Sequence, residues 1–350
     1  MIGLIVAVAA TSGCSKGATS TDRGLEKPVK AISRVVFAED RLWLLQDDGR
    51  LASLDPNEGE PQPERVPGKV LDICKSAGRL TALVGDGAGR WALQQRSGED
   101  WTPQASVRSK GDTLIAVACR DDSDQVTLVT NRRLVELTGG KSQSINLKRP
   151  LEEPFGVGTA LATDDAVWLG LNAGEWGGGL RRVALKNGSV EAASKDGSGD
   201  FCGGPLNMAC DPVNGIVPSP WKAGCLVVAV GMVHFISHGR IVQVCDNEVS
   251  RIYFKALDPQ PPYGKVQDGE PSSTIAFFGL ARTGNTVWAL GIDGLYRFDR
   301  PQEPQFRTLP RFEKRGGYWV SFEIPGIALV LTDINQRRSM SGSVPIMAVR

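Results

Sequence analysis

The stretch Thr286-Val-Trp288-Ala-Leu-Gly291-Ile-Asp293-Gly294-Leu-Tyr296-Arg-Phe298 reads as two short strands joined by a tight Asp-Gly turn. It is apolar and rich in β-branched and aromatic residues. The same grammar, an apolar run, a polar turn, a second run often carrying Trp and a third run after Gly, returns along the whole chain. Arg34 to Leu54 holds it around Trp43 and Gly49, and Val70 to Gln94 holds it around Gly85 and Trp91. Leu114 to Leu137 follows with Ser144 to Leu147 as a fourth strand, then Val167-Trp168 with Gly179 to Val183. Cys225 to Val230, Val233 to Ile236 and Ile241 to Val244 form a fifth unit, and Tyr318 to Val349 closes a seventh.

First strands fall near residues 34, 70, 113, 158, 213, 275 and 318, so the units repeat every 36 to 62 residues or so. That is the period of four-stranded sheets arranged radially. An open row of such sheets leaves two end faces and bare strand edges, whereas a ring removes them. The predicted fold is therefore all-β, a single β-propeller of seven blades spanning 27–350. Its last unit ends on a third strand, and Lys27 to Ile32 is expected to add the missing outer strand and close the ring. Gly/Ser/Asp-rich and Pro-rich stretches near 188–212 and 247–272 read as surface insertions. A pair of β-sandwiches explains the spacing less well.

The Trp-then-Gly repeats, above all residues 286–298, resemble those of two-component-regulator and related bacterial propellers. Pro212 to Trp221, running on to Val230, resembles the opening of a sialidase-type or sortilin-type blade. These resemblances imply a fold and no ligand.

The first thirteen residues are uncharged, apolar and too short for the ~20 residues of a membrane helix, and they read as a signal peptide. Ser12-Gly13-Cys14 resembles a lipoprotein cleavage site, with Thr11 where Leu is usual and no basic residue ahead; a plain cleaved signal and a buried N-terminal segment are the other readings. Cys14 is the expected lipidation site, and the small polar residues 14–26 the expected flexible tether. The protein is thus expected to be exported and held at a bacterial envelope membrane, on its periplasmic or outer side.

Seven cysteines less Cys14 leave six, an even number suited to three disulfides in an oxidising compartment. Cys74 and Cys119 occupy matching places on neighbouring inner strands and are predicted to bridge two blades. Cys202, Cys210, Cys225 and Cys245 admit three pairings, of which Cys202–Cys210 staples its loop most directly. With 40 Lys and Arg against 39 Asp and Glu, no global field draws nucleic acid or an acidic membrane.

Asn172-Ala-Gly174-Glu175-Trp176-Gly-Gly-Gly179 is the most unusual segment. Its glycines let backbone come close to a ligand, Trp176 offers a stacking face, and Glu175 and Asn172 offer polar contacts. The competing reading is a wide bulge whose Trp packs between blades, the commoner fate of blade aromatics. His234 and His238 read as lying in a strand and at a turn, ~13 Å apart if extended, so no metal site is expected. Asp196 to Asp200, Asp47-Asp48-Gly49 and Asp121-Asp122 read as turns. No Gly-x-Ser-x-Gly elbow, Walker loop or dinucleotide fingerprint is present in its required context, and no cofactor is expected. The expected role is binding or scaffolding, with a propeller rim meeting an envelope protein or polymer. A propeller lyase, lactonase or glycan hydrolase with converging channel carboxylates is the rival, and a sensory ectodomain the third reading.

Overall fold

The computed structural model describes residues 32–55, 61–151, 156–195, 204–234, 236–246, 248–258, 271, 273–309, 318–332 and 346–350. The chain is a seven-bladed β-propeller. Blades 1 to 6 are four-stranded antiparallel meanders beginning at the inner strands Ile32–Ala38, Lys69–Ser76, Leu114–Cys119, Gly156–Ala162, Val213–Pro218 and Phe277–Thr283. Blade 7 shows three strands among the described residues, Tyr318–Ser321, Ile327–Thr332 and Ile346–Val349. Lys27 to Ala31 of the expected closing strand lie outside the described residues, and Ile32 opens the inner strand of blade 1.

Second strands such as Val126–Thr130 are buried along their whole length, because a blade on each side covers both faces. The apolar side chains therefore gather between blades in seven clusters, one for each interface of a closed ring. Val36, Trp43, Ile73 and Leu80 join blades 1 and 2, while Leu169 and Val183 meet Val129 and Leu134 across blades 3 and 4. The seam is the thinnest: Val35 and Leu42 of blade 1 meet Leu329 of blade 7. Phe37 N–H also donates across it to Glu323 Oε2 at 3.4 Å.

Every inner strand of blades 1 to 6 slips register by one residue near its start, leaving Ser33, Leu71, Ile115, Gly158, Asn214 and Phe278 as the extra residue. A bulge of this kind bends the strand and re-aims the side chains that follow it. Cys74 and Cys119 are bridged as predicted, with Cα atoms 6.0 Å apart, tying the inner strands of blades 2 and 3. Cys225 and Cys245 form a second disulfide, directly opposite each other on adjacent strands of blade 5. That bond closes a hairpin within the blade. Cys210 is disulfide-bonded too; Cys202, like Cys14 and Asp196 to Asp200, lies outside the described residues. Val190–Ala193 and Glu248–Tyr253 are outer strands of blades 4 and 5, so the two insertions begin after them.

Candidate functional site

Inner strands all run the same way along the axis, so the turns between second and third strands share one face, called here the upper face. In blade 4 that turn is a single 3-10 turn, Gly174–Trp176, between strands Ala166–Asn172 and Gly178–Ala184. Gly177 and Gly179 take φ of 95° and 89°, and a Cβ on either would run into Met208 or Ala209. The close approach is used: Gly178 N–H donates to Met208 O at 2.9 Å and Gly179 N–H to Asp211 O at 2.8 Å. The segment leading into blade 5 is thereby laid against the glycine-rich turn.

Asp211 fixes that segment from below. Its carboxylate is fully buried, receives Arg240 Nη2 at 2.5 Å and Asn207 N–H at 2.6 Å, and lies 2.9 Å from His238 Nε2. Arg240 Nε donates to Pro205 O at 2.8 Å, so one guanidinium grips both ends of residues 205–211.

Trp176 stands on this clamped turn 72% exposed. The competing expectation, a Trp packed between blades, is corrected: positive φ at Gly174 and Gly177 turns the chain away from the blade, and the Met208–Asp211 backbone occupies the space alongside. Glu175 Oε2 lies 2.9 Å from His234 Nε2, linking the blade 4 turn to the neighbouring turn of blade 5, where Val233 is also exposed. Asn172 is spent internally. Its Nδ2 donates to Asn214 Oδ1 at 2.7 Å and its Oδ1 receives Gly174 N–H at 2.9 Å, so it positions the turn. Asn214 in turn donates to Gly231 O and Phe277 O, carrying the link to blade 6.

The histidines differ from expectation in one respect. His238 is inside the strand Ile236–Cys245, opposite Met232, because the register pairs His234 with Ile236 and carries the ladder on through His238. Each histidine faces a different carboxylate, and the described residues contain no cluster of three or more metal-ligating side chains.

The second concave feature is the central channel, a cavity of about 740 Å³ lined by inner strands of all seven blades. Asp121, Asp122, Asp164 and Glu323 gather at its lower mouth. Three of them are held by cations: Lys75 Nζ lies 2.9 Å from Asp121, and Arg120 bridges Asp122, at 3.0 Å, and Asp164. Hydrogen bonds from Arg120 hold Asp122 below its ordinary range. Higher up, Arg34 reaches from blade 1 past Asp72, at 3.3 Å, to Ile73 O at 3.2 Å and Val117 O at 3.0 Å. Enclosure by protein pushes the Asp72 and Glu323 carboxyls upward, against the pull of Arg34 on the first and of Phe37 N–H and Lys75 on the second. Sequence reading missed Arg34 and Glu323, whose partners lie in other blades.

No protein-family model matches the chain, and no curated protein matches it in sequence. Solved structures share its fold. YCF48 bound to D1 peptide superimposes with a TM-score of 0.52 at 12% identity, over 87% of this chain and 89% of that one. YCF48 from Cyanidioschyzon merolae does so with a TM-score of 0.51 at 9% identity, over 86% and 92%. The extracellular domain of BT4673 from B. thetaiotaomicron, described as a hybrid two-component system, gives 0.49 at 13% identity over 87% of this chain, which spans 37% of that one. At such identities the likeness is one of fold.

Proposed function

We propose that this chain is a non-catalytic binding propeller of the bacterial envelope, which takes hold of a protein or an envelope polymer with the upper-face turn carrying Trp176. One observation carries the reading: a large apolar side chain, 72% exposed, stands on a turn whose backbone is clamped by Asp211 and the glycines. A rigid aromatic loses little conformational entropy on docking, which is why Trp dominates interface hot spots. Glu175 and His234 supply the polar border, with Val233 beside them. The disulfides are those of an exported protein, and a lipid on Cys14 would hold the propeller at the membrane. YCF48 was solved with a D1 peptide; the reading for this chain rests on Trp176. The channel carboxylates favour the enzyme less, since three are paired with cations in place of an acid pair.

The test is photo-crosslinking in native membranes with a benzophenone side chain at position 176, beside co-purification with Trp176→Ala and Phe306→Ala. The expected result is one discrete adduct, lost co-purification with Trp176→Ala and retained co-purification with Phe306→Ala, an exposed aromatic on the outer strand of blade 6. Identical recovery with both variants sinks the proposal. Turnover of a sugar or lactone by the purified protein, with no partner recovered, makes it an enzyme instead. The anchor is checked separately: Cys14→Ser should release the protein from membranes and abolish fatty-acid labelling.

A further inference from the structure

The lower half of the channel contains a carboxylate, Glu323, that no cation among the described residues is paired with. Among the described residues Glu323 receives one long hydrogen bond, from Phe37 N–H to Oε2 at 3.4 Å, and its Oε1 has no partner. The side chain is open to the channel, yet protein surrounds it closely enough to raise its carboxyl. A group both reachable and enclosed sits on a concave surface, where a bound charge is screened less than on a convex one.

The cations around it are committed elsewhere. Lys75 holds Asp121, Arg120 bridges Asp122 and Asp164, and Arg34 is shared between Asp72 and two backbone carbonyls. Arg350, at the end of the blade 7 third strand, donates to Phe322 O and Ile327 O. The cavity lining itself counts three cations, Arg34, Lys75 and Arg120, against four carboxylates, Asp121, Asp122, Asp164 and Glu323. The surplus charge is negative. Facing it, blades 4 to 6 bring the apolar Ala160, Leu161, Val217, Leu280 and Ala281 to the wall, with Thr159, Thr163 and Asn214 interspersed and Asp164 at the mouth. The channel as a whole, about 740 Å³, falls in the range of small-ligand pockets.

We infer that this half of the channel is a binding site for a small amphipathic cation, its ammonium paired with Glu323 and its apolar body lying along blades 4 to 6. An ammonium supplies the donors that Oε1 lacks, and it needs no displacement of Lys75, Arg120 or Arg34. An anion finds each of those guanidinium and ammonium groups already occupied. The site is separate from the Trp176 turn, on the opposite face.

Binding of hexylammonium to the full protein at neutral pH, measured calorimetrically beside hexanoate and hexanol, tests the inference. Hexylammonium should bind measurably tighter than either analogue. Glu323→Gln should weaken it about tenfold or more, the usual scale of a charge-assisted hydrogen bond. Trp176→Ala should leave it unchanged. Asp121→Asn, on an exposed side chain, gives a second reading should Glu323→Gln fold poorly: it frees Lys75 to pair with Glu323 and should also weaken the amine. Absence of hexylammonium binding at millimolar concentration, hexanoate binding equally well, or affinity unchanged in both variants overturns the site.

Discussion

Asp211 and Arg240 form an ion pair 2.5 Å long whose side chains are 0% and 7% exposed, and through it the upper face of blade 4 is tied to blade 5. A buried pair adds little net stability compared with apolar groups of the same volume, but removing one partner strands a charge. Arg240→Met should therefore cost about 3–5 kcal/mol in urea unfolding, and Asp211→Leu combined with it should recover much of that loss. Equal instability of the single and the double variant would show that the pair is not what holds residues 205–211.

The two described disulfides should differ in worth. Cys74–Cys119 closes a 45-residue separation and Cys225–Cys245 a 20-residue one. Chain-entropy reasoning gives about 4 kcal/mol for the first and about 3 kcal/mol for the second. The double serine variant at 74 and 119 should thus unfold at lower denaturant than the one at 225 and 245. Neither pair should react with an alkylating reagent until reductant is added, and labelling of Cys74 without reductant contradicts the bridge.

The ring was legible because burial leaves a one-dimensional trace: inner, second and third strands are apolar runs broken by turn residues, and residues 286–298 show the whole pattern. Outer strands such as Val190–Ala193 and Glu248–Tyr253 carry few buried side chains, so they read as parts of surface insertions. The Trp176 turn was visible as an oddity, but its direction was not. That depends on Met208 and Asp211, brought alongside by a fold that spacing alone does not describe. Glu323 gave no signal because Phe37, whose backbone N–H is the one hydrogen-bond donor its side chain meets among the described residues, lies 286 residues away across the ring seam.

Two glycines of the Trp176 turn separate conformational strain from steric conflict. Gly174 has φ 59° and open space where a Cβ would go, whereas Gly177 has φ 95° and the Met208–Ala209 backbone in that place. Gly174→Ala should cost about 1–2 kcal/mol, the ordinary left-handed penalty, and keep the turn. Gly177→Ala should cost more and release the 204–211 segment. Amide hydrogen exchange at Gly178 and Gly179, whose N–H groups bond Met208 and Asp211, reads this directly. Equal protection in the two variants would refute the clamp.

Glu323 predicts a pH dependence whose sign follows from its raised carboxyl. A carboxyl that holds its proton more tightly in the folded state contributes stability that is full below its ordinary value of 4.5 and is lost as pH rises through the raised folded value. The groups that face it are Lys75 from blade 2, Asp121 from blade 3, Arg34 and Phe37 N–H from blade 1, and Arg350 from its own blade. Other carboxylates work in the opposite direction. Asp112 is partly enclosed, but its bonds to Arg133 and Arg132 outweigh that and hold it low, and Asp165 is held low by Arg182. Their stability is present above the ordinary carboxylate range and lost on acidification. The wild-type curve alone therefore mixes both signs, and the difference between wild type and Glu323→Gln isolates one. Relative to wild type, the variant should gain thermal stability as pH rises from about 4 toward neutrality. A constant difference in Tm across that window would mean that Glu323 titrates alike in the folded and unfolded chain.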